Sequence, residues 1–294
     1  MSAAYPWQNP VFRHLRFPFS WFLLPAFLMG WLMVPDADAE RVWQLALVLH
    51  LLVYPSSNAF NSWQDRDEGP IGGMERPPQA PEAIRWWSLA FDVLAVGLCS
   101  YWWGPLGLGI LAYILASRAY SWRPLRLKKY PWGGFFIVVL FQGPWVMLLC
   151  AAYLPNQPFV WEQLAAPGAW YLASALVLGG TYPLTQVYQH AADKADGVLS
   201  LSAWLGVQGT FRFSAAAFAL AGPFLLLPLW LNGRTEALLL LSLALLPTLF
   251  WFFSWWRQVQ RDEAAANFKN TMIMNVVASS SLNVALLLVG GLGL

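Results

Sequence analysis

The chain has 294 residues, of which 58% are hydrophobic and only 11% are charged, and its formal net charge is +2. Soluble domains carry about 25% charged residues, so this composition excludes an ordinary soluble protein and indicates a membrane protein. The small net charge gives no support for nucleic-acid binding. The two cysteines, Cys99 and Cys150, lie within predicted helices and indicate neither a disulfide framework nor a zinc site.

Apolar segments close to the ~20 residues that cross a bilayer recur along the chain. They predict an all-α polytopic membrane protein with about nine transmembrane helices in one bundle, and a single domain over residues 1–294. The third and fourth helices are predicted to meet in a tight turn at Gly104 and Pro105. The predicted spans are 17–34, 42–61, 84–103, 104–120, 132–153, 168–189, 211–231, 237–256 and 271–292.

The positively charged residues are distributed unevenly between the two sides of this bundle. With the N-terminus inside, all of the 17 Lys and Arg residues except Arg41 and Arg234 lie on one side. Because cytoplasmic loops are enriched in Lys and Arg, we expect a multi-pass protein of the cell (inner) membrane with a cytoplasmic N-terminus. A cleaved signal peptide over residues 13–39 is the alternative for the first span, although its apolar core exceeds the usual ~7–15 residues.

One polar pattern occurs twice, at the ends of the second and sixth predicted helices. Residues 54–69 read YPSSNAFNSWQDRDEG, and residues 182–197 read YPLTQVYQHAADKADG. Both copies open with Tyr-Pro and close with a carboxylate and Gly, which makes them an internal pseudo-repeat. The matching polar residues are Asn58, Asn61, Asp65, Arg66 and Glu68 in the first copy, and Gln186, Gln189, Asp193, Lys194 and Asp196 in the second.

The spacing of the amides and carboxylates predicts one polar face on each helix. At about 100° per residue, the two amides, the Asp and the Glu of the first copy fall within an arc of roughly 80° if the helix continues to Gly69. Asp67 is matched by Ala195 and would point to the far side, so it is the weakest acidic candidate. The second copy repeats the arrangement if its helix runs to Gly197. Each helix is therefore expected to present two amides and two carboxylates at the cytoplasmic side.

Two loops on the same predicted side could complete a site. The loop after the second helix, PIGGMERPPQAPE, is rich in Pro and Gly, is long enough to cover the mouth of the bundle, and carries Arg76. Residues 118–132, between the fourth and fifth helices, form the densest positive segment of the chain. Anchoring of a cytoplasmic loop accounts for part of this charge, and binding of anionic lipid or phosphate groups would account for the rest.

Asp92 stands in the middle of the third predicted helix, where a carboxylate costs about 2.5–3.5 kcal/mol on insertion scales. We therefore expect it to face the interior of the bundle, either protonated or paired. The sequence identifies no partner for it and no role.

The polar stripes suit one kind of chemistry. Carboxylate and amide oxygens are hard ligands for Mg²⁺, which commonly bridges one or two carboxylates to substrate phosphates. A divalent cation and a diphosphate would relieve the repulsion between facing carboxylates. Metal and side-chain cations can take up the charge on a departing diphosphate, while aromatic faces stabilise an allylic carbocation. Apolar walls between the helices would hold a long isoprenoid tail open to the bilayer.

These motifs, in their order along nearly the whole chain, resemble those of the UbiA-type intramembrane prenyltransferase family. That family carries N-D-x-x-D-x-x-x-D at the end of helix 2 and D-x-x-x-D at the end of helix 6. Asn61 and Asp65 match the first motif, in which two other acids are replaced here. Asp193 matches the second, with Gln189 in place of an acid. Residues 120–128, YSWRPLRLK, are similar to the family's Tyr-Ser-x-Pro-Pro-x-Arg-x-Lys loop.

The resemblance implies Mg²⁺-dependent transfer of a prenyl group from a prenyl diphosphate to an aromatic or lipid acceptor within the membrane, at a cytoplasmic site. The alternatives are a membrane terpene cyclase or diphosphate lyase that uses the same ionisation step, and a carrier or transporter of isoprenoid or anionic lipid. The catalytic candidates are Asp65, Asp193 and Tyr120. The metal-ligand candidates are Asp65, Glu68, Asp193, Asp196 and, most weakly, Asp67. The substrate-binding candidates are Asn58, Asn61, Arg66, Arg76, Arg126, Lys128, Gln186, Gln189 and Lys194.

Overall fold

The computed structural model describes residues 8–104, 107–165 and 167–293, and the regular structure in these residues is helical. A 3₁₀ segment, Phe17–Phe22, joins α1 to α2, and a π-helical segment, Val48–Val53, joins α3 to α4. Pro105 of the predicted tight turn lies outside the described residues. The α-helices are α1 (Pro10–Leu15), α2 (Leu24–Leu32), α3 (Ala39–Leu47), α4 (Tyr54–Asp65), α5 (Ala83–Trp103), α6 (Gly107–Ser121), α7 (Pro131–Gln142), α8 (Pro144–Tyr153), α9 (Trp170–Leu184), α10 (His190–Ala195), α11 (Leu201–Leu231), α12 (Thr235–Arg261) and α13 (Phe268–Leu292).

Five helical segments of the described chain are long and apolar enough to cross a membrane. A sixth is added if Pro10–Phe22 and Leu24–Leu32, which are bent by 44° relative to each other, form one span. The prediction of an all-α polytopic membrane protein is confirmed. The count of nine helices remains a prediction, because several predicted spans are broken into shorter helices. The five segments are Ala83–Trp103, Pro131–Tyr153, Leu201–Leu231, Thr235–Arg261 and Phe268–Leu292.

The two Tyr-Pro pairs occupy different places in their helices. Pro55 is the second residue of α4, a position where the missing N–H of proline costs little. Pro183 lies at the other end of its helix, because α9 stops at Leu184 and a turn separates it from α10. A proline inside a helix removes one hydrogen bond and clashes with the preceding turn. The predicted continuous helix to Gly197 is therefore wrong.

The helix of the first copy also ends earlier than predicted. α4 stops at Asp65, and Arg66 adopts the left-handed conformation (φ 54°, ψ 40°) while its N–H donates to the carbonyl of Ser62 at 3.0 Å. A left-handed residue after the last turn ends a helix. Asp67 and Glu68 consequently belong to a loop, and the prediction that they continue the faces of the helix is wrong.

The main hydrophobic core lies around α2, α8 and the first half of α9. Met147 and Trp170 are at most 1% exposed there, and the indole N–H of Trp170 donates to the carbonyl of Leu225 at 3.1 Å. This bond ties α9 to α11. The two helices approach closely at Gly180, where a Cβ atom would lie 2.5 Å from the ring of Phe218. The packing fixes the direction in which α9 enters the site.

A polar cluster inside the bundle joins α4, α5 and α6. The guanidinium of Arg118 donates to the Asp92 carboxylate and to the hydroxyls of Ser56 and Ser88, the last two at 2.7 Å. The Ser56 hydroxyl also donates to Asp92 Oδ1 at 2.6 Å. Asp92 is therefore paired, and its partner comes from the segment that was assigned to the positive loop. Because Arg118 is one turn from Ser121, the cluster holds α6 in register with α4 at the level of the site described next.

Candidate active site

One cavity of about 250 Å³ is bounded by the 3₁₀ segment, α4 and the loop after it, α6, α7, α9, α10 and α13. Its polar residues include Asp65, Asp67, Asp193, Lys128 and Arg16. The rest of its wall combines uncharged polar residues with apolar ones, among them Phe22, Leu23, Val138, Phe141 and Leu178. The cavity thus joins a charged region to a hydrophobic one within the same space.

Asp65 is held at the C-terminal end of α4 by several donors. Its carboxylate is 2% exposed and pairs with Lys128 and with Arg126, the latter at 3.1 Å. Asn61 donates to Asp65 Oδ2 at 2.8 Å and to the Ser121 hydroxyl at 2.8 Å. The predicted proximity of Asn61, Asp65, Arg126 and Lys128 is therefore present in the structure, although Arg126 is not among the residues that line the cavity.

The loop after α4 exchanges the orientations predicted for Asp67 and Glu68. Asp67 lines the cavity, whereas Glu68 is exposed and is not among the lining residues. The reason is the end of α4 at Asp65, after which side-chain direction no longer follows a helical period. The loop also closes part of the mouth, since Arg16 donates to the carbonyl of Gly72 at 3.2 Å and Gln189 donates to the carbonyl of Pro70 at 3.3 Å.

The second polar copy contributes Gln186, Gln189 and Asp193 to the cavity. Asp196 lies apart from them, because its carboxylate pairs with Arg126 and, at 3.5 Å, with Arg123. The hydrogen bond from Arg126 is the main reason that the pKa of Asp196 lies below its usual value. The predicted role of Asp196 as a metal ligand is therefore not matched by its position, since an arginine occupies its carboxylate.

Asp67 and Asp193 carry carboxylates that are only partly neutralised, since Lys128 lowers the pKa of both and a hydrogen bond from Ser200 lowers the pKa of Asp193 without offsetting burial. Neither forms an ion pair with any described residue. Burial raises the pKa of Asp193 to about 6, with Asp67 and Asp65 adding to the shift, and burial together with Asp65 raises the pKa of Asp67. Both groups are therefore in an environment that a cation would stabilise.

The donor set fits Mg²⁺ when a substrate supplies part of the coordination. Within the described ranges, no three His, Cys, Asp or Glu residues are close enough together to hold a metal by themselves. Mg²⁺ does not require such a cage, since it is usually held by one or two carboxylates, several waters and substrate phosphates. Asp67 and Asp193 provide two carboxylates in one cavity, with amides beside them.

Three buried polar atoms around the cavity have no hydrogen-bond partner. They are the side-chain nitrogens Nε of Arg16 and Nδ2 of Asn58, and the oxygen Oε1 of Gln186. Buried polar groups are normally paired, so two free donors and one free acceptor indicate a polar ligand. Arg16 was not among the site residues predicted from the sequence. Its backbone bends at φ 48°, and its other guanidinium nitrogens donate to the carbonyls of Gly72 and Asn58.

Two tyrosines form a hydrogen-bonded chain at the boundary between the polar and apolar regions. The hydroxyls of Tyr120 and Tyr182 are 3.0 Å apart, and Gln186 Nε2 donates to the Tyr182 hydroxyl at 2.9 Å. All three residues line the cavity. Tyr120 was a candidate from the sequence, whereas Tyr182 was recognised only as the first residue of the repeat. The chain fixes the orientation of the phenol groups around the space between them.

Three cationic side chains that were predicted to bind the substrate lie outside the cavity. Arg66 forms an exposed ion pair with Glu82 at 2.6 Å, because the left-handed turn at this residue directs it away from α4. Arg76 is exposed, and its carbonyl accepts a hydrogen bond from Arg13 at 3.1 Å. Lys194 is exposed on α10, on the side that does not line the cavity. The structure therefore does not bring these three side chains to the carboxylates.

Comparison with known proteins agrees with this geometry. The model of the UbiA prenyltransferase family matches residues 21–277. The bacteriochlorophyll synthase 33 kDa chain of Cereibacter sphaeroides is 29% identical over 219 residues, which cover 69% of each chain. The apo structure of a UbiA homolog from Aeropyrum pernix K1 has a TM-score of 0.67 at 16% identity and covers 93% of this chain and 98% of the other.

A second solved structure shares the fold. It is a UbiA homolog from Archaeoglobus fulgidus bound to GPP and Mg²⁺, with a TM-score of 0.60 at 16% identity, and it covers 95% of this chain and 99% of the other. The family match extends over most of the sequence and includes both polar copies. The chain belongs to the UbiA prenyltransferase family and is a membrane prenyltransferase.

Proposed function

We propose that this prenyltransferase uses a prenyl diphosphate and Mg²⁺, and that the acceptor is a hydrophobic or aromatic molecule of the membrane. The observation that carries the proposal is that Asp67, Asp193 and Lys128 line the same cavity as apolar side chains such as Val138, Phe141 and Leu178. The Archaeoglobus fulgidus homolog with bound GPP and Mg²⁺ supports the same ligands. The bacteriochlorophyll synthase relative makes a bacteriochlorophyll precursor one acceptor to assay.

The proposed residues divide the reaction between the two ends of the cavity. Asp67 and Asp193 would hold Mg²⁺, which supplies positive charge to the leaving diphosphate. Lys128 and Arg16 bind the phosphate oxygens, and Asn58 Nδ2 donates to one of them. The bond between the allylic carbon and the diphosphate oxygen breaks, and its electron pair leaves with the diphosphate.

The allylic cation then lies beside the tyrosine chain. The ring and oxygen of Tyr120 stabilise its positive charge, and Tyr182 and Gln186 keep that hydroxyl in place. The apolar walls exclude water, which would otherwise capture the cation. The nucleophilic atom of the acceptor forms the new bond to the allylic carbon, and the acceptor loses a proton.

The proposal is tested with purified protein in lipid nanodiscs. Prenyl diphosphates of different lengths are supplied with and without Mg²⁺ and with candidate acceptors, and diphosphate release and product masses are measured. We expect release to require Mg²⁺ and to fall by orders of magnitude in Asp193→Asn, while the exposed control Glu162→Gln keeps wild-type activity. Products that form without any acceptor would support a cyclase or lyase, and binding of the donor without diphosphate release under any condition would support a carrier; either result contradicts the proposal.

We further propose that the mouth of the cavity lies on the cytoplasmic side of the cell (inner) membrane. This proposal rests on the asymmetry of Lys and Arg. Single cysteines at Glu75 and at Asn232, both exposed, are labelled with an impermeant thiol reagent after replacement of the native cysteines. Glu75→Cys should react only from the cytoplasmic side and Asn232→Cys only from the opposite side. Labelling of both from one side would contradict the topology.

A further inference from the structure

The lining residues of α6 give the cavity a direction. Tyr113, Ser117, Tyr120 and Ser121 line it, and they follow the spacing of one helical face. Ser121 lies at the polar end, because its hydroxyl accepts a hydrogen bond from the Asn61 amide that also donates to Asp65. None of the α6 residues before Tyr113 lines the cavity. Tyr113 is therefore the deepest lining residue on this helix.

The lining residues of α7 and α9 place the bottom of the cavity at the same depth. On α7 the deepest lining residue is Gln142, where the helix ends before the break at Gly143. On α9, which runs toward the polar end, it is Leu178. A Cβ atom at Gly143 would lie 2.8 Å from Leu178, so the break in one helix contacts the other helix directly at this depth.

Tyr113 closes the apolar end. It is 3% exposed, and its ring packs against Tyr54 at 5.8 Å and Phe141 at 6.4 Å between centroids. The Gln142 amide interacts with its hydroxyl. Tyr54 itself is 1% exposed and is part of the main hydrophobic core together with Met147. A ligand that reaches Tyr113 therefore meets packed protein beneath it.

One side of the cavity is bounded by the seam between the 3₁₀ segment Phe17–Phe22 and α13. Two hydrogen bonds join the 3₁₀ segment to α13: Trp21 Nε1 donates to the Ser280 hydroxyl at 3.0 Å, and Asn283 Nδ2 donates to the Trp21 carbonyl at 3.0 Å. Phe22 and Ser279, on either side of this seam, line the cavity. A tail directed along the helices would meet the floor at Tyr113 rather than an opening between these two elements.

The depth can be expressed in isoprene units. From Ser121 to Tyr113 the helix rises by roughly 12 Å at 1.5 Å per residue. An extended isoprene unit adds four bonds along the chain, or roughly 5 Å. The space below the polar end accordingly holds about two units. The cavity volume of about 250 Å³ is also at the low end for ligand sites, which usually enclose about 300–1,000 Å³.

We propose that Tyr113, supported by Gln142, is the floor that determines tail length, and that the preferred donor is a prenyl diphosphate with a tail of two isoprene units. This inference rests on the proposed function, since it assigns the substrate class of the same site. Longer tails bind only if they bend back or displace the floor. Ser117, one turn above Tyr113, offers a position at which the floor can be raised.

The test measures equilibrium binding of unreactive thiolodiphosphate analogues with one to four isoprene units, in the presence of Mg²⁺, by quenching of tryptophan fluorescence. In the wild-type protein, affinity should rise at least tenfold from one unit to two and fall by at least about threefold with a third unit, which has no room above Tyr113. Tyr113→Ala should increase affinity for the three-unit analogue relative to the two-unit analogue by at least tenfold. Ser117→Leu should lower affinity for the two-unit analogue and spare the one-unit analogue.

The matched control is Tyr153→Ala, which truncates a tyrosine of similar burial outside the cavity and should leave the length profile unchanged. Ser117→Leu keeps the proposal testable if Tyr113→Ala does not fold. A wild-type protein that binds the three- and four-unit analogues as tightly as the two-unit analogue, or more tightly, would contradict the role of Tyr113, as would an unchanged profile in folded Tyr113→Ala or Ser117→Leu. If none of the four analogues bound to the wild-type protein, the result would instead contradict the proposed function, and the inference with it.

Discussion

Asp67 and Glu68 provide the sharpest contrast between the helical repeat and the structure. The repeat predicts that Glu68 acts with Asp65 and that Asp67 points away. In the structure α4 ends at Asp65, Asp67 lines the cavity and Glu68 is exposed. We therefore expect Asp67→Asn to be severe and Glu68→Gln to be mild, although the two substitutions remove the same charge from adjacent residues.

The size of the effect follows from the charge that is lost. Two unit charges 4 Å apart attract by about 4 kcal/mol at an effective dielectric of about 20. A divalent ion doubles that attraction, and desolvation of the buried carboxylate offsets more than half of the total. A remaining loss of about 3 kcal/mol lowers the rate by about a hundredfold. An exposed carboxylate contributes about 1 kcal/mol or less, so Glu68→Gln should change the rate by no more than a few fold.

The assay is Mg²⁺-dependent diphosphate release under subsaturating donor, which reports kcat/KM. Both variants are first compared with the wild-type protein by thermal unfolding in the same detergent, so that a folding defect is not taken for a catalytic one. Equal activities of the two folded variants, or a greater loss in Glu68→Gln, would refute the assignment of Asp67 to the metal and restore the helical-face interpretation.

Other predictions concern charged residues inside and outside the cavity. Lys128→Met should raise the KM for the donor by at least about tenfold, because a phosphate contact is lost; an unchanged KM in steady-state kinetics would place the diphosphate elsewhere. Arg66→Gln should change donor affinity by less than about threefold, since Arg66 forms an exposed pair; a tenfold loss in a binding titration would contradict its position. Asp92→Asn should lower the free energy of unfolding by about 3–5 kcal/mol by leaving Arg118 without its counter-charge, whereas Asp92→Leu with Arg118→Met should be nearly neutral. Denaturant titration in detergent measures both free energies of unfolding. An equal loss of stability in the single and the double variant would mean that the ion pair itself contributes the stability.

The sequence predicted the helical class and much of the charged end of the cavity. The conserved order of polar types in the two copies was sufficient to identify Asn61, Asp65 and Asp193, because each is near a helix end whatever the local backbone does. The match of residues 120–128 to a family loop predicted that Lys128 lies on the same side as the acidic residues, and the structure pairs it with Asp65. These predictions depend on chain order and residue chemistry, which survive small changes in helix length.

The remaining errors come from backbone conformation that periodicity does not report. A single left-handed residue, Arg66, ends α4 and changes which acid enters the cavity. Pro183 ends α9 early, so Asp196 pairs with Arg126 rather than facing the metal candidates. Arg16 is also turned inward by a left-handed backbone, a conformation that the sequence pattern around it does not report.

The pairing of Asp92 was missed for a different reason. Its partner, Arg118, is far away in the sequence and lies beside a loop whose cations were explained by membrane topology. A long side chain at a helix end can extend either outward to the interface or inward to a buried carboxylate, and composition does not distinguish these directions. The cost of a single intramembrane acid was a valid signal that a partner existed.

In the proposed site, Asp67 and Asp193 hold a divalent cation in contact with the diphosphate of the donor. Electron paramagnetic resonance of bound Mn²⁺, used in place of Mg²⁺ with an unreactive two-unit thiolodiphosphate, tests it most directly through hyperfine coupling to ³¹P. We predict phosphorus coupling in the wild-type complex, with loss of bound Mn²⁺ in folded Asp193→Asn and Asp67→Asn. Mn²⁺ that binds without phosphorus coupling, or that binds to both variants as tightly as to the wild-type protein, would show that these two carboxylates do not hold the metal at the diphosphate.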